Sequence, residues 1–332
     1  MIKTKNEMIN VSRLYCGIEN PSDKYHFGSQ GPVVVYNCTK KCSLNCLHCY
    51  SRNSLNGKEL DTKEAKDLLK QLAEINCAAV LFSGGEPLER EDLFELLDYS
   101  NVLGLRTVLS TNGNLIDAVT AKKLFDSGVS YAGVSIDGTE KTHDEFRGRA
   151  GSFKAAVNGI KACKEAGLKS GIRFTITKRN YNQINEIFFL ASDLSVARIC
   201  FYHLIAVGQA AKNDLKCSEG QLTQAFNEIL DCARQYTSKG VCEVFTVGNC
   251  EDGEFILNRL KEEKSPLYEK SFRLLEKFGG NKIGRKIFAV DAFGNVHPSQ
   301  FRQDCLLGNV KEKSIKEIVS EIQCTQTDRF SG

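Results

Sequence analysis

The sequence predicts an α/β chain, a partial (βα)6 barrel carrying a small C-terminal α+β cap. From Val33 onward, short β-branched or apolar runs alternate with amphipathic helical patterns, the signature of consecutive βα units. Beyond Tyr202 the alternation breaks and a different rhythm follows. At 332 residues and 42% hydrophobic content, the chain can bury one sizeable core with room for an appended subdomain.

Strands are expected at 33–37, 79–83, 106–110, 131–136, 171–177 and 197–202. After the first, Asp61 can cap a helix with Glu64 reaching back. Ala65, Leu68, Leu69, Leu72 and Ile75 recur at helical spacing on the face that packs on the sheet. A later helix through Ser152, Ala155, Ala156, Ile160 and Cys163 should end at Gly167, which suits a left-handed cap. Past Tyr202 the pattern reads as a helix over 219–236, a strand near 241–247, a helix around 254–278 and a hairpin. The hairpin strands, 286–290 and 296 onward, flank the turn Asp291-Ala292-Phe293-Gly294-Asn295. Ile315, Ile318 and Ile322 mark a last helix, with 324–332 as an unstructured end. The expected organisation is an N-terminal extension over 1–30, the barrel over 31–212 and the cap over 213–332.

A net charge of +3 and a pI near 8.1 are too mild to argue for a nucleic-acid partner. The N-terminus lacks the apolar core of a secretory signal, and runs such as 78–82 are too short to span a bilayer. A cytoplasmic protein with no membrane partner is expected. In that reducing compartment fourteen cysteines do not form a disulfide framework, so metal or redox use is the leading account of the clustered ones.

Cys42, Cys46 and Cys49 directly follow the first expected strand, on a loop at the C-terminal edge where barrel active sites form. Three thiolates at this spacing can wrap one corner of an iron-sulfur cube and leave its fourth iron without a protein ligand. The alternatives are a zinc site, with Cys38 or His48 as fourth ligand, or buried core thiols. Gly84-Gly85-Glu86-Pro87 follows the second strand, where two glycines permit close backbone approach, although an ordinary βα turn uses the same residues. Ser110-Thr111-Asn112-Gly113 ends the third strand, Ser135-Ile136-Asp137-Gly138 ends the fourth, and Arg173 lies in the fifth. Each is a routine loop or rim residue alone. Together they converge on one mouth.

In this order the elements resemble the radical S-adenosylmethionine (SAM) superfamily, whose mark is CxxxCxxC after a first strand of a TIM-like barrel. The resemblance implies a [4Fe-4S] cluster on Cys42, Cys46 and Cys49. Its open iron chelates the methionine moiety of S-adenosylmethionine, and one electron breaks the sulfonium bond to release a 5′-deoxyadenosyl radical. It further implies that Gly84, Gly85 and Glu86 face the methionine amino group. Ser110 and Asn112 would contact its sugar and methionine parts, Ser135 and Asp137 would join them at the next strand end, and Arg173 would pair with the carboxylate. His48 takes the position against adenine, with simple loop packing as its alternative.

The resemblance extends to the runs Val11 to Gly17, Pro32 to Thr39 and Thr142-His143-Asp144-Glu145-Phe146-Arg147-Gly148. It continues through Phe201 to Leu204, Asn295-Val296-His297-Pro298-Ser299-Gln300-Phe301 and Leu307 to Val310. These are similar to the radical enzymes of heme d1 and alternative heme biosynthesis, which trim acetate or propionate side chains of siroheme-derived tetrapyrroles and carry a SPASM/twitch-like C-terminal region. A tetrapyrrole substrate and reduced ferredoxin or flavodoxin as electron donor are thereby implied. Two departures bear on an auxiliary iron-sulfur cluster: no cysteine-rich run precedes Gly332, and Ala289 stands where relatives have a ligand cysteine. Cys250, Cys305 and Cys324 are the remaining thiols there, more simply read as core residues, and His297 is a candidate ligand or general acid whose plainer reading is a hydrogen-bonded turn residue. Rival readings are a radical maturase of a ribosomal peptide and a non-catalytic protein binding cluster and tetrapyrrole.

Overall fold

The structure, a computed structural model, describes residues 8–18, 31–52, 57–237, 242–278 and 287–325. It builds the six expected strands as β2 (Val33–Thr39), β3 (Ala79–Gly84), β4 (Thr107–Thr111), β5 (Val129–Ser135), β6 (Ser170–Ile176) and β7 (Arg198–His203). All pair in parallel with the next. Along β6, Ile172, Phe174 and Ile176 are buried on the face packed by helices, while Arg173 and Thr175 alternate onto the other, half-buried face. The period-2 geometry of a strand thus divides an apolar outer layer from a polar inner one.

The sheet does not stop at β7. Strand β8 (Glu243–Val247) adds in parallel beside it, and β1 (Met8–Asn10) adds antiparallel beyond β8. At the other edge β9 (Ile287–Val290) runs parallel to β2, followed by β10 (Asn295–His297) and β11 (Gly308–Asn309), both antiparallel. One eleven-stranded sheet results, in the order β1-β8-β7-β6-β5-β4-β3-β2-β9-β10-β11, open because β1 and β11 do not meet. It runs without interruption across the expected 212/213 boundary.

Helix α2 (Thr62–Glu74) carries the expected capping box between Asp61 and Glu64 and buries Ala65, Leu68, Leu69 and Leu72 against the sheet. Truncating any one of those leucines to alanine costs about 2–5 kcal/mol. Helices α3 (Leu93–Val102), α4 (Ala118–Asp126), α5 (Glu140–Arg147), α6 (Ser152–Glu165) and α7 (Ile184–Asp193) connect the successive strands. Helix α6 closes as expected with Gly167 in the left-handed region. Helix α8 (Glu219–Thr237) precedes β8, and α11 (Ile315–Thr325) ends the described chain.

Three expectations differ. The segment before residue 30 is not only an extension, since β1 and the short helix α1 (Val11–Leu14) lie in it, α1 being capped by Asn10. The helix expected over 254–278 is two, α9 (Asp252–Glu262) and α10 (Tyr268–Phe278), broken where Lys264 adopts φ 51° before Ser265-Pro266. Helix α11 runs through Cys324, so the expected unstructured end does not begin there; residues 326–332 lie outside the described ones. No helix among the described residues is long and apolar enough to cross a membrane.

Candidate active site at the barrel mouth

The loop leaving β2 has irregular backbone, and such backbone must find partners elsewhere. Three neighbours supply them. From the β3 side, Gly85 N–H donates to Thr39 O, Glu86 N–H donates to Lys41 O, and Ser43 N–H donates to the Glu89 carboxylate, each at 2.7 Å. From the end of α5, Arg147 O accepts from Asn45 N–H at 3.1 Å and Phe146 O from Leu47 N–H at 2.9 Å. From the loop after β7, Gln209 N–H reaches Cys49 O at 2.9 Å and Asn213 Nδ2 reaches Leu47 O at 2.8 Å. Gly84 (φ +132°) and Gly85 are required here: a Cβ would stand 2.4 Å from Thr39 O and 2.2 Å from Lys41 O respectively.

Of the three cysteines on this loop, Cys46 is buried while Cys42 and Cys49 are half-buried. Burial pushes the Cys42 thiol up to about 11. Among the described residues no three histidine, cysteine or carboxylate side chains are gathered tightly enough to hold a single ion. Cys38, the fourth ligand of the zinc alternative, lies in the apolar core.

Glu86 is fully buried and joins the ends of β3 and β4. Its carboxylate accepts from Thr111 Oγ1 at 2.7 Å, Asn112 N–H at 2.8 Å and Leu88 N–H at 3.3 Å. Burial still dominates those hydrogen bonds and raises its pKa to about 7. Asn112 is buried beside it, its Oδ1 capping Asn114 N–H, and Ser110 stands half-buried one step below on the inner face.

On the opposite side, Arg173 lies in register with Ser135 and stacks 4.6 Å over the ring of Tyr202. Burial would lower its pKa, yet the surrounding tyrosines and Cys200 outweigh that, and among the described residues no carboxylate pairs with it. Arg198, lower on the same face, instead forms two hydrogen bonds to Glu243, at 2.7 and 3.0 Å.

Asp137, at the end of β5, is fully buried and paired with Arg147. Its Oδ1 accepts from Thr175 N–H at 3.1 Å, and its Oδ2 lies 4.0 Å from His48 Nε2. Burial pushes the Asp137 carboxyl up, but Arg147 wins and holds it below the usual range. His48 is kept neutral by burial, its pKa lowered to about 4, and its ring leans on Phe146 at 4.8 Å. Its Nδ1 is buried with no hydrogen-bond partner among the described residues.

Sequence reasoning missed three contributors. Thr111, which holds Glu86, and Arg147, beside Cys46, sit inside runs already singled out, but nothing local says which side chains meet. Tyr50 follows Cys49; its hydroxyl donates to Asn37 Oδ1 at 3.0 Å, and its ring meets Phe301 edge-on at 5.2 Å. His297 is tied at both nitrogens, Nδ1 to Cys305 O at 2.9 Å and Nε2 to Asp291 at 3.4 Å, as the turn-residue alternative requires. Ala289 packs in the core between Val35 and His297.

The sequence model of the radical SAM superfamily matches residues 36–191, which carry the three cysteines, Glu86, Asp137 and Arg173. The chain is 41% identical to the Fe-coproporphyrin III synthase of Methanosarcina barkeri, over 95% of this chain and 84% of that one. It is 33% identical to the pre-heme d1 synthase of Dinoroseobacter shibae, over 88% of this chain and 74% of the other.

The chain belongs to the radical SAM superfamily. It is therefore an enzyme, related to enzymes of heme biosynthesis. The crystal structure of Streptococcus suis SuiB bound to S-adenosylmethionine superposes with a TM-score of 0.68 over 90% of this chain and 67% of its own, at 20% identity. That likeness establishes the partial barrel fold alone. Radical SAM membership implies a [4Fe-4S] cluster and S-adenosylmethionine, and the mouth fits them. One loop offers three thiols and a buried guanidinium lies beside Cys46, while among the described residues the buried Glu86 carboxylate and the half-buried Arg173 guanidinium have no ionic partner and a buried imidazole nitrogen lacks a hydrogen-bond partner.

Proposed function

We propose that Cys42, Cys46 and Cys49 hold the [4Fe-4S] cluster and that S-adenosylmethionine lies across the mouth between Glu86 and Arg173. When bound, these groups supply one-electron cleavage of the sulfonium bond and a 5′-deoxyadenosyl radical that abstracts hydrogen. One observation carries the reading: Glu86, buried just past the end of β3, and Arg173, half-buried within β6, are of opposite charge and line the mouth with the three-cysteine loop, and among the described residues neither has an ionic partner. A zwitterion completes both. Ionised Glu86 would take the ammonium, Arg173 the carboxylate, and the hydroxyls and amide of Ser110, Asn112 and Ser135 the remaining polar groups. Gly84 and Gly85 keep that wall close to the loop. His48, neutral and flat, would lie against adenine with Nδ1 turned to a donor on the base, and Asp137 would fix the loop from behind.

The substrate is a siroheme-derived tetrapyrrole from whose acidic side chain hydrogen is abstracted and a fragment then lost; the names of the two relatives support that class. Reduced ferredoxin or flavodoxin supplies the electron in the reducing cytoplasm, where thiols such as these persist. The test is 5′-deoxyadenosine release by the anaerobically reconstituted, reduced protein, alone and with siroheme-derived tetrapyrroles, beside the variant Cys42→Ala, Cys46→Ala, Cys49→Ala. Release that vanishes in the variant and rises with a tetrapyrrole whose mass falls by a side-chain fragment is expected. A fully loaded cluster with no release would overturn the enzymatic assignment of this mouth, and release unmoved by any tetrapyrrole would overturn the substrate class.

A further inference from the structure

Arg147 is the last residue of α5 and is buried, with its guanidinium between two groups of the mouth. Nη1 lies 3.6 Å from Cys46 Sγ, and Nη2 pairs with the Asp137 carboxylate on the other side. The backbone leaves it little freedom. Phe146 O and Arg147 O accept from Leu47 and Asn45 N–H, the residues flanking Cys46, so α5 and the loop are stapled on both sides of that thiol. Gly148 takes φ +66° directly afterwards, where a Cβ would stand 2.9 Å from Asn45 O.

The charges around this group are ordered along one line. Arg147 presents its positive end to the sulfur, and ionised Asp137 sits behind it. The nearby imidazole of His143 adds no charge, since burial lowers its pKa to about 4. His143 Nδ1 accepts from Asp137 N–H at 3.1 Å, and its Nε2 meets Ser152 Oγ at 3.3 Å, which keeps the neutral ring oriented. The buried ionic charges beside Cys46 are thus one cation at the sulfur and one anion behind it.

We propose that Arg147 is a positioning residue for the cluster, donating a charged N–H···S hydrogen bond to Cys46 and raising the cluster's reduction potential, with Asp137 as the opposing charge that limits the rise. Hydrogen bonds to ligand sulfurs and fixed nearby charge are principal protein controls on such potentials. Reduction adds one electron from the external donor and forms or breaks no bond, so a cation beside the ligand sulfur stabilises the reduced state more than the oxidised one. The inference rests on the proposed reading of Cys46 as a cluster ligand.

The experiment is a potentiometric titration of the reconstituted full-length protein, followed by electron paramagnetic resonance without S-adenosylmethionine, with iron content measured in parallel. Arg147→Met removes the cation and leaves the anion: at the wild-type midpoint its reduced-to-oxidised ratio should fall about tenfold, a downward shift of about 59 mV. Asp137→Asn removes the anion and leaves the cation, so its midpoint should rise. Two shifts of opposite sign are something a merely structural contact does not produce. If Arg147→Met takes up no iron, Asp137→Asn decides alone, a rise supporting the inference and an unchanged or lower midpoint overturning it. Normal iron content with unmoved midpoints in both variants overturns this inference and leaves the cluster assignment standing. A wild-type protein that assembles no cluster overturns both together.

Discussion

The two walls of the mouth carry opposite charge and hold it by opposite means. On the β3–β4 wall, the Glu86 carboxylate is held by a hydroxyl and two backbone amides, with no cation in the set. On the β6–β7 wall, the Arg173 guanidinium is held by an aromatic face, with no carboxylate in the set. Arg198, a few residues along on the same inner face, provides the contrast, since Glu243 neutralises it and Tyr131 and Phe245 sandwich it at 5.4 and 4.6 Å. A charge with its counter-ion in place belongs to the structure; a charge fixed only by neutral groups is left for something else. Leaving such a group unpaired costs stability that a ligand returns on binding.

The largest expected effect separates the two arginines. Arg173→Met should weaken S-adenosylmethionine binding to the cluster-loaded protein about thirtyfold to hundredfold, the loss of a charge-assisted hydrogen-bonded pair at about 2–3 kcal/mol. Its thermal stability should hold or improve, because the removed cation had no ionic partner. Arg198→Met should do the reverse, lowering the melting temperature by exposing the cost of Glu243 without its partner while leaving affinity within about threefold. Equilibrium binding and thermal denaturation on both variants decide it. Equal loss of affinity in the two would break the distinction between paired and unpaired charge.

The next effect is on pH and sharpens the other wall. Burial raises the Glu86 pKa to about 7, the Glu89 charge adding to the rise and the hydrogen bonds from Asn112, Thr111 and Leu88 opposing it. A carboxyl whose folded pKa is raised binds its proton more tightly in the folded protein than in the unfolded one. Its contribution to stability is therefore greatest at low pH and declines as pH rises from about 4.5 to about 7. An ammonium requires the ionised form, so S-adenosylmethionine affinity should rise by up to about tenfold per pH unit below 7 and level off above it. Glu86→Gln should bind weakly with no such rise; a wild-type affinity flat from pH 5.5 to 8 would remove Glu86 from the ammonium site.

Much of this arrangement was legible in the sequence, for reasons that also explain what was not. The six strands carry local signals, β-branched runs bounded by caps and glycines, and each observed strand end lies within two residues of the expected one. Cys42, Glu86 and Arg173 stand at strand ends or within a strand, so placing the strands placed them around one mouth. Strand β1 has three residues and no period to detect; it exists because Met8 pairs with Val247, far along the chain. The break at Lys264 was hidden because apolar spacing continues across it, and only Ser265-Pro266 marks it. The encounter of Arg147 with Cys46 depends on where α5 ends relative to a loop a hundred residues earlier, which no local pattern encodes.

The smallest effect tests how the cationic wall is held. Tyr202 supplies the face on which Arg173 lies, and its ring, not its hydroxyl, makes that contact. A cation–π contact contributes about 0.5–2 kcal/mol, partly through holding the guanidinium in one orientation. Tyr202→Leu should therefore weaken S-adenosylmethionine binding about threefold to tenfold, less than Arg173→Met, because the charge remains and only its orientation is freed. Tyr202→Phe should bind as the wild type does, since the face is preserved. In the Arg173→Met background, Tyr202→Leu should add nothing further, because its effect passes through the guanidinium; additive losses in the double variant would mean that the ring touches the cosubstrate directly.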